Sequence, residues 1–201
     1  VEVALGIINN WSQVGCDDQK MLWVYRSDGS GTTASFTNSM QSFSKTWTIG
    51  AGKSVAWPNG VGAKGNAGVA GVIANTPGAI GYVNQSYIKD NIVAAAIQNK
   101  SGQFVKPTVE AGSLALSGIE LDENLAGTDP NPEAEGAYPI ATLTWILAYK
   151  TGNGKNTDAI KTTLSKLLSD EYQNKASTLG YVPLKGETLQ KARDAVNIIV
   201  E

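Results

Sequence analysis

The residues best equipped for chemistry lie close together: Arg26, Asp28, Ser30, Gly31 and Thr32, in the run Arg26-Ser27-Asp28-Gly29-Ser30-Gly31-Thr32-Thr33. A glycine-rich loop that feeds a helix leaves the first N–H groups of that helix without intrahelical acceptors. The helix dipole adds partial positive charge at the same place. Gly29 and Gly31 permit positive φ and a close approach of a ligand to the backbone. Ser30 and Thr32 add hydroxyl donors. Arg26 supplies a planar, permanently charged fork suited to a tetrahedral oxyanion. Asp28 is spaced to bind Arg26, hold it and temper its charge. The plain alternative is a helix cap made by Ser30 or Thr32. An arginine four residues before Ser30, at the end of the preceding strand, favours anion binding over the cap alone.

The rest of the composition narrows the chemistry. The chain has no histidine, which excludes Ser-His-Asp and Cys-His catalysis and His-ligated zinc. The single Cys16 makes neither an internal disulfide nor a thiolate zinc site, and either a buried thiol or a thiol awaiting an external partner fits it. No metal or cofactor is expected. Sixteen Lys+Arg against 18 Asp+Glu give a net charge of −2, so a basic footprint for nucleic acid or an anionic membrane is absent. Arg26 and Arg193 are the only arginines. Gly52-Lys53-Ser54 ends like a nucleotide phosphate loop, but the first glycine of that motif would fall at Trp47. Gly60-Val61-Gly62-Ala63-Lys64-Gly65 satisfies G-x-G-x-x-G. Pro58 interrupts the strand that should precede it, and Asn84 and Gln85 stand where an acid is required. Gly29-Ser30-Gly31 is not a nucleophile elbow, and Ser30 lacks a usual base.

Several elements must position the 26–32 loop. Residues 21–25 are bulky and β-prone, so they read as the strand before it. Phe36, Met40 and Phe43 fall at i, i+4, i+7 and predict a helix over 32–43. Residues 57–66 read as a loop, 67–75 as a helix stopped by Thr76-Pro77-Gly78, and 79–83 and 92–97 as strands. The alternation points to a layered α/β domain. Residues 125–139 read as a long polar connection. Residues 142–149 form a continuous apolar-aromatic run of the buried-strand kind. Helices are predicted over 157–173 and 187–200.

A chain of 201 residues accommodates one large domain or two lobes and buries a real core. No apolar run is long enough to cross a membrane. The start, Val1-Glu2-Val3-Ala4-Leu5, has neither Met nor a positive n-region, so a processed chain or one cut from something longer is expected.

Tyr25 to Thr33, with Phe36-Thr37, resembles the signature of the periplasmic phosphate-binding proteins of ABC phosphate importers. The likeness continues in Gly6-Ile7-Ile8-Asn9-Asn10-Trp11, in Trp57-Pro58 with Gly65-Asn66 and Gly68-Val69, and in Pro77-Gly78-Ala79-Ile80-Gly81-Tyr82-Val83. It extends to Tyr138-Pro139-Ile140 with Thr144-Trp145-Ile146-Leu147, and to Leu179-Gly180-Tyr181-Val182-Pro183-Leu184. The resemblance implies an α/β, class II periplasmic-binding-protein-like fold of two lobes with a cleft. Residues 1–106 would form the second lobe, carrying the anion loop. Residues 107–201 would form the hinge return and the C-terminal part of a first lobe left incomplete. Arg26, Ser30, Gly31 and Thr32 would contact phosphate, with Asp28 bracing Arg26. In the family a front portion supplies a Thr, a Ser and an acceptor Asp, and this sequence contains no counterpart. An N-terminal segment or separate chain would then be a partner, and Cys16 would be placed to pair with a cysteine there. The function implied is a periplasmic, non-enzymatic receptor that binds inorganic phosphate and delivers it to the importer's membrane permease. The alternatives are a phosphomonoester hydrolase using Asp28 or Ser30, and a phosphate-binding fragment with an adhesion role.

Overall fold

Strand β1, Leu22–Arg26, is the spine of the first of two compact units, Val1–Ile97 and Gln98–Glu201, in a computed structural model that describes residues 1–89 and 91–201. Helix α1 (Gly31–Phe43) follows, then strand β2 (Val61–Ala63), helix α2 (Gly65–Asn75) and strand β3 (Ala79–Gly81). The three strands make a parallel sheet in the order β2-β1-β3, with Val24 opposite both Val61 and Gly81. The central strand is the most apolar, as a parallel strand covered on both faces should be. Trp23 is 5% exposed and Val24 is fully buried. One connection from β1 leads to β2 on its left-hand edge in this order, while β3 occupies the other edge. The C-terminal end of β1 is thus the point where the winding reverses, the position at which open α/β sheets hold ligands.

The face of α1 turned to the sheet joins an aromatic cluster. The Phe36 ring stacks on Tyr82 with centroids 4.5 Å apart, and Trp23 lies 5.6 Å from both Phe36 and Trp57. Such pairs contribute about 0.5–1.5 kcal/mol each beyond their burial. Thr37 is fully buried. Its hydroxyl lies 2.8 Å from the Thr33 carbonyl, to which it donates, and accepts from the Gly52 N–H at 3.0 Å. This fastens the 50–53 loop to α1. Gly60 is required by its conformation, with φ +95°, and by space: a Cβ there would stand 2.4 Å from the Trp23 carbonyl oxygen.

Strand β4 (Ile97–Gln98), at the boundary between the units, pairs with β5 (Phe104–Val105), and the second unit continues with α3 (Val109–Ser117), α4 (Thr157–Leu167), α5 (Asp170–Ala176) and α6 (Gly186–Asn197). Helix α6 packs on α4. Arg193 of α6 donates to the Leu168 carbonyl from Nε at 3.0 Å and Nη2 at 2.8 Å, and reaches Asp170 Oδ1 at 2.6 Å. It therefore caps the end of α4 and ties it to Asp170 in the first turn of α5, a structural role.

Several expectations give way. The helix expected over 157–173 breaks after Leu167, because Ser169 accepts from the Tyr172 N–H and starts a new helix with Asp170 and Glu171 in its first turn. The strand expected over 92–97 reduces to Ile97 and Gln98, while 92–96 are irregular. The 57–66 loop contains β2, since Pro58 lies upstream of the three paired residues and does not interrupt them. Residues 142–149 are not a buried strand. They lie outside any helix or strand, with Leu147 94% and Tyr149 82% exposed. A strand needs partners, and none of the described residues pairs with this run. Helix α3 was not foreseen, although Thr108 before Glu110 is a readable cap signal: its hydroxyl accepts from the Ala111 N–H. Cys16 is an exposed free thiol, which removes the buried reading.

Candidate anion-binding site

The site grows from the junction of β1 and α1. Ser30 is the N-cap: its extended backbone turns the chain into the helix, and its hydroxyl oxygen accepts from the Thr33 N–H at 3.2 Å. The Ser30 N–H is committed as well, to the Lys53 carbonyl at 2.9 Å. The next two amides, Gly31 and Thr32, meet no protein acceptor among the described residues. They are the open donors of the helix end. Neither Gly29 nor Gly31 has positive φ, so the expected conformational reason for glycine is absent. A Cβ on Gly31 would enter open space with no atom within 4 Å. What glycine provides here is an uncovered backbone.

Arg26 is held rather than loose. Its Nε donates to Asp28 Oδ1 at 2.8 Å and its Nη2 to Asp28 Oδ2 at 2.5 Å, and only 11% of the side chain is exposed. A bidentate pair of this kind fixes the guanidinium plane and leaves Nη1 without a protein acceptor among the described residues. The hydrogen bond to Asp28 raises the Arg26 pKa further above its ordinary range. Arg26 in turn holds the Asp28 carboxyl far below the usual carboxylate range, helped by the Gly65 N–H.

That Gly65 contact assigns Asp28 a second task. Gly65 is the first residue of α2, and no side chain next to it caps the helix. Asp28 Oδ1 accepts the Gly65 N–H at 3.0 Å from 37 residues upstream. Two helices therefore start near the end of β1. An internal carboxylate occupies the start of α2, whereas the α1 amides at Gly31 and Thr32 are open.

Tyr82, just beyond β3, ties these pieces together. Its hydroxyl oxygen accepts from the Arg26 N–H at 3.2 Å and is 2.8 Å from Thr33 Oγ1. One phenol thus spans the last residue of β1 and the first turn of α1, which brings Arg26 and the helix end into one neighbourhood. Burial pushes its pKa up, so the hydroxyl stays protonated. The structure places Arg26, Asp28, Ser30, Gly31 and Thr32 along this one junction. No local sequence pattern marks Tyr82, Lys53 or Gly65 for a role at this junction. Tyr82 stands in the Pro77–Val83 run, but only the fold reveals where its hydroxyl ends.

A family model described as the PBP superfamily domain matches residues 3–171. The chain belongs to the PBP superfamily. Within the superfamily, curated relatives share the name phosphate-binding protein PstS. The one from Pasteurella multocida is 36% identical over 94% of this chain and 59% of its own length. The one from Methanocaldococcus jannaschii is 35% identical over 91% and 52%. The one from Xylella fastidiosa (strain Temecula1) is 38% identical over 91% and 54%. This PBP chain thus spans between half and three fifths of the length of these relatives. Among solved structures, a high-affinity periplasmic phosphate-binding protein (PfluDING) bound with phosphate superposes with a TM-score of 0.74. It is 21% identical, and the match covers 96% of this chain and 62% of that one. A phosphate ABC transporter substrate-binding protein from Clostridium perfringens, with bound phosphate, gives 0.55 at 20% identity. At these identities the structures speak for the fold, which is the periplasmic-binding-protein α/β architecture. No described helix is long and apolar enough to cross a membrane.

Proposed function

We propose that this chain is the donor half of a periplasmic receptor that binds inorganic phosphate and hands it to an ABC permease. The Gly31 and Thr32 amides and the Thr32 and Ser30 hydroxyls donate to the oxyanion, and Arg26 adds charge from Nη1. Asp28 braces Arg26 and contributes no contact of its own. The observation that carries this reading is the contrast between the two helix ends. The start of α2 is neutralised by Asp28, while the start of α1, beside a fixed guanidinium, is open. Relatives named for phosphate binding supply the identity of the anion.

The acceptor side of the site belongs to the part of the family's chain that this sequence does not contain. An acceptor carboxylate there would separate protonated phosphate from proton-free sulfate. Binding needs no covalent chemistry. Occupancy shifts a lobe equilibrium toward the closed form, and the permease reads that form.

The test is calorimetry on these residues joined to the remaining segment of a relative, with phosphate, arsenate and sulfate. Heat with phosphate and none with sulfate is expected, and absence of heat with phosphate ends the assignment. Arg26→Lys keeps the charge but loses the fork. It should weaken phosphate binding by about 1.5–3 kcal/mol, the scale of a hydrogen bond to a charged group. An unchanged dissociation constant would mean that Arg26 does not touch the ligand.

A further inference from the structure

Successive amides of a strand face opposite edges of the sheet. In β1 the Leu22 N–H donates to the Gly78 carbonyl at 3.2 Å, on the β3 side, and beyond the strand the Ser27 N–H donates to the Ala63 carbonyl at 3.0 Å, on the β2 side. The Arg26 N–H therefore faces the β3 side. There the ladder has already ended, with Val24 opposite Gly81. The Tyr82 hydroxyl oxygen takes the place of the missing strand carbonyl and accepts the Arg26 N–H at 3.2 Å. The same oxygen lies 2.8 Å from Thr33 Oγ1 in the first turn of α1. The phenol cannot swing away. Its ring is stacked on Phe36 at 4.5 Å and flanked by Trp57 at 5.8 Å and Trp23 at 5.9 Å, and the residue is 7% exposed.

The other bonds of the site each hold one side of it. Asp28 fixes the guanidinium plane, and the Lys53 carbonyl fixes the cap residue Ser30. The bridge from Arg26 through Tyr82 to Thr33 joins the strand that carries the guanidinium to the helix that carries the open Gly31 and Thr32 amides. A site built from two elements needs its groups held within about 0.5 Å of the productive geometry. Hydrogen bonds also weaken steeply as their angles open. We infer that Tyr82 is a positioning residue of the anion site: its hydroxyl sets the gap between Arg26 and the end of α1, and with it the size of tetrahedral oxyanion that both can reach together. The inference rests on the phosphate reading of this site and deepens it. The acceptor side reads the proton on the anion, and the donor half reads its radius. Arsenate, with the same charge and longer bonds to oxygen, is the probe.

Tyr82→Phe removes the hydroxyl and keeps the ring in its stack. In the 201-residue chain it should speed hydrogen exchange of the Arg26 amide about tenfold or more. In the completed receptor, calorimetry should show phosphate binding weakened about tenfold and the preference for phosphate over arsenate reduced about threefold or more. Thr33→Val should shift the preference in the same direction, and Thr33→Ser, which keeps the hydroxyl, should restore it. Asn59→Ala, which removes a bond to the Ala4 carbonyl elsewhere in the unit, should lower the melting temperature and leave the preference unchanged. That separates placement from stability, because a smaller folded fraction weakens both anions equally. Unchanged Arg26 exchange in Tyr82→Phe overturns the inference. So does a Tyr82→Phe receptor that keeps its preference, whether its affinity for phosphate holds or falls. Absence of heat from the wild-type receptor with either anion instead removes the phosphate reading itself, and the inference with it.

Discussion

Asp28 does its work with two oxygens. It fixes the guanidinium of Arg26 and caps the start of α2, so its substitution acts on two elements. Its pKa is depressed in the folded chain, so its contribution to stability is present above the unfolded value of about 4 and is lost as pH falls below that. Thermal melts of wild type and Asp28→Asn should therefore differ at pH 6 and converge progressively below about pH 4. A gap that persists unchanged at low pH would show that the carboxylate's charge is not what matters. Gly31 offers a cleaner separation of folding from binding. A methyl there strains nothing in the chain, because no atom lies within 4 Å of the Cβ position. Gly31→Ala should keep or slightly raise the melting temperature, since alanine is the better helix former. It should still weaken phosphate binding in the completed receptor by standing over the open amides. Equal affinity for both forms, read by calorimetry, would take Gly31 out of the site.

The element that sets the site is α1, and Thr37 holds its neighbouring loop in place. Thr37→Val keeps the shape but deprives the Gly52 N–H of its acceptor. A denaturation midpoint should report a loss of about 1–3 kcal/mol. The elements around β1 were readable because each carries its own local signal: a β-prone run, a cap at Ser30, a stop at Thr76-Pro77-Gly78. The misreadings have physical causes too. Ser169 followed by two acids restarts a helix that its apolar stripe alone would continue. The 142–149 run has the right residues for a strand but no partner in the described chain, and strand formation is a property of pairs. The site was legible as residue types in the 26–32 loop. The roles of Tyr82 and Gly65 depend on contacts at separations of 56 and 37 residues, which no local pattern encodes.

At the scale of the whole molecule, about two fifths of the length of relatives such as the Pasteurella multocida protein has no counterpart here. The donors are gathered in one unit, so phosphate capture is expected only when the acceptor side is supplied. Titrating phosphate into the isolated chain should give at least tenfold weaker binding than the completed receptor, because a multi-residue loss of contacts exceeds one about 1.4 kcal/mol step. The Arg26–Asp28 ion pair has a further bearing on kinetics. It leaves the Arg26–Asp28 pair without net charge inside a chain whose net charge is −2. In the proposed receptor a dianion meets no surplus charge from this pair at long range, so its capture depends mainly on the Nη1 group and the amides it meets at contact. The association rate measured by stopped flow should then change little across a wide range of ionic strength, unlike that of receptors that steer their cargo with a surplus of lysines.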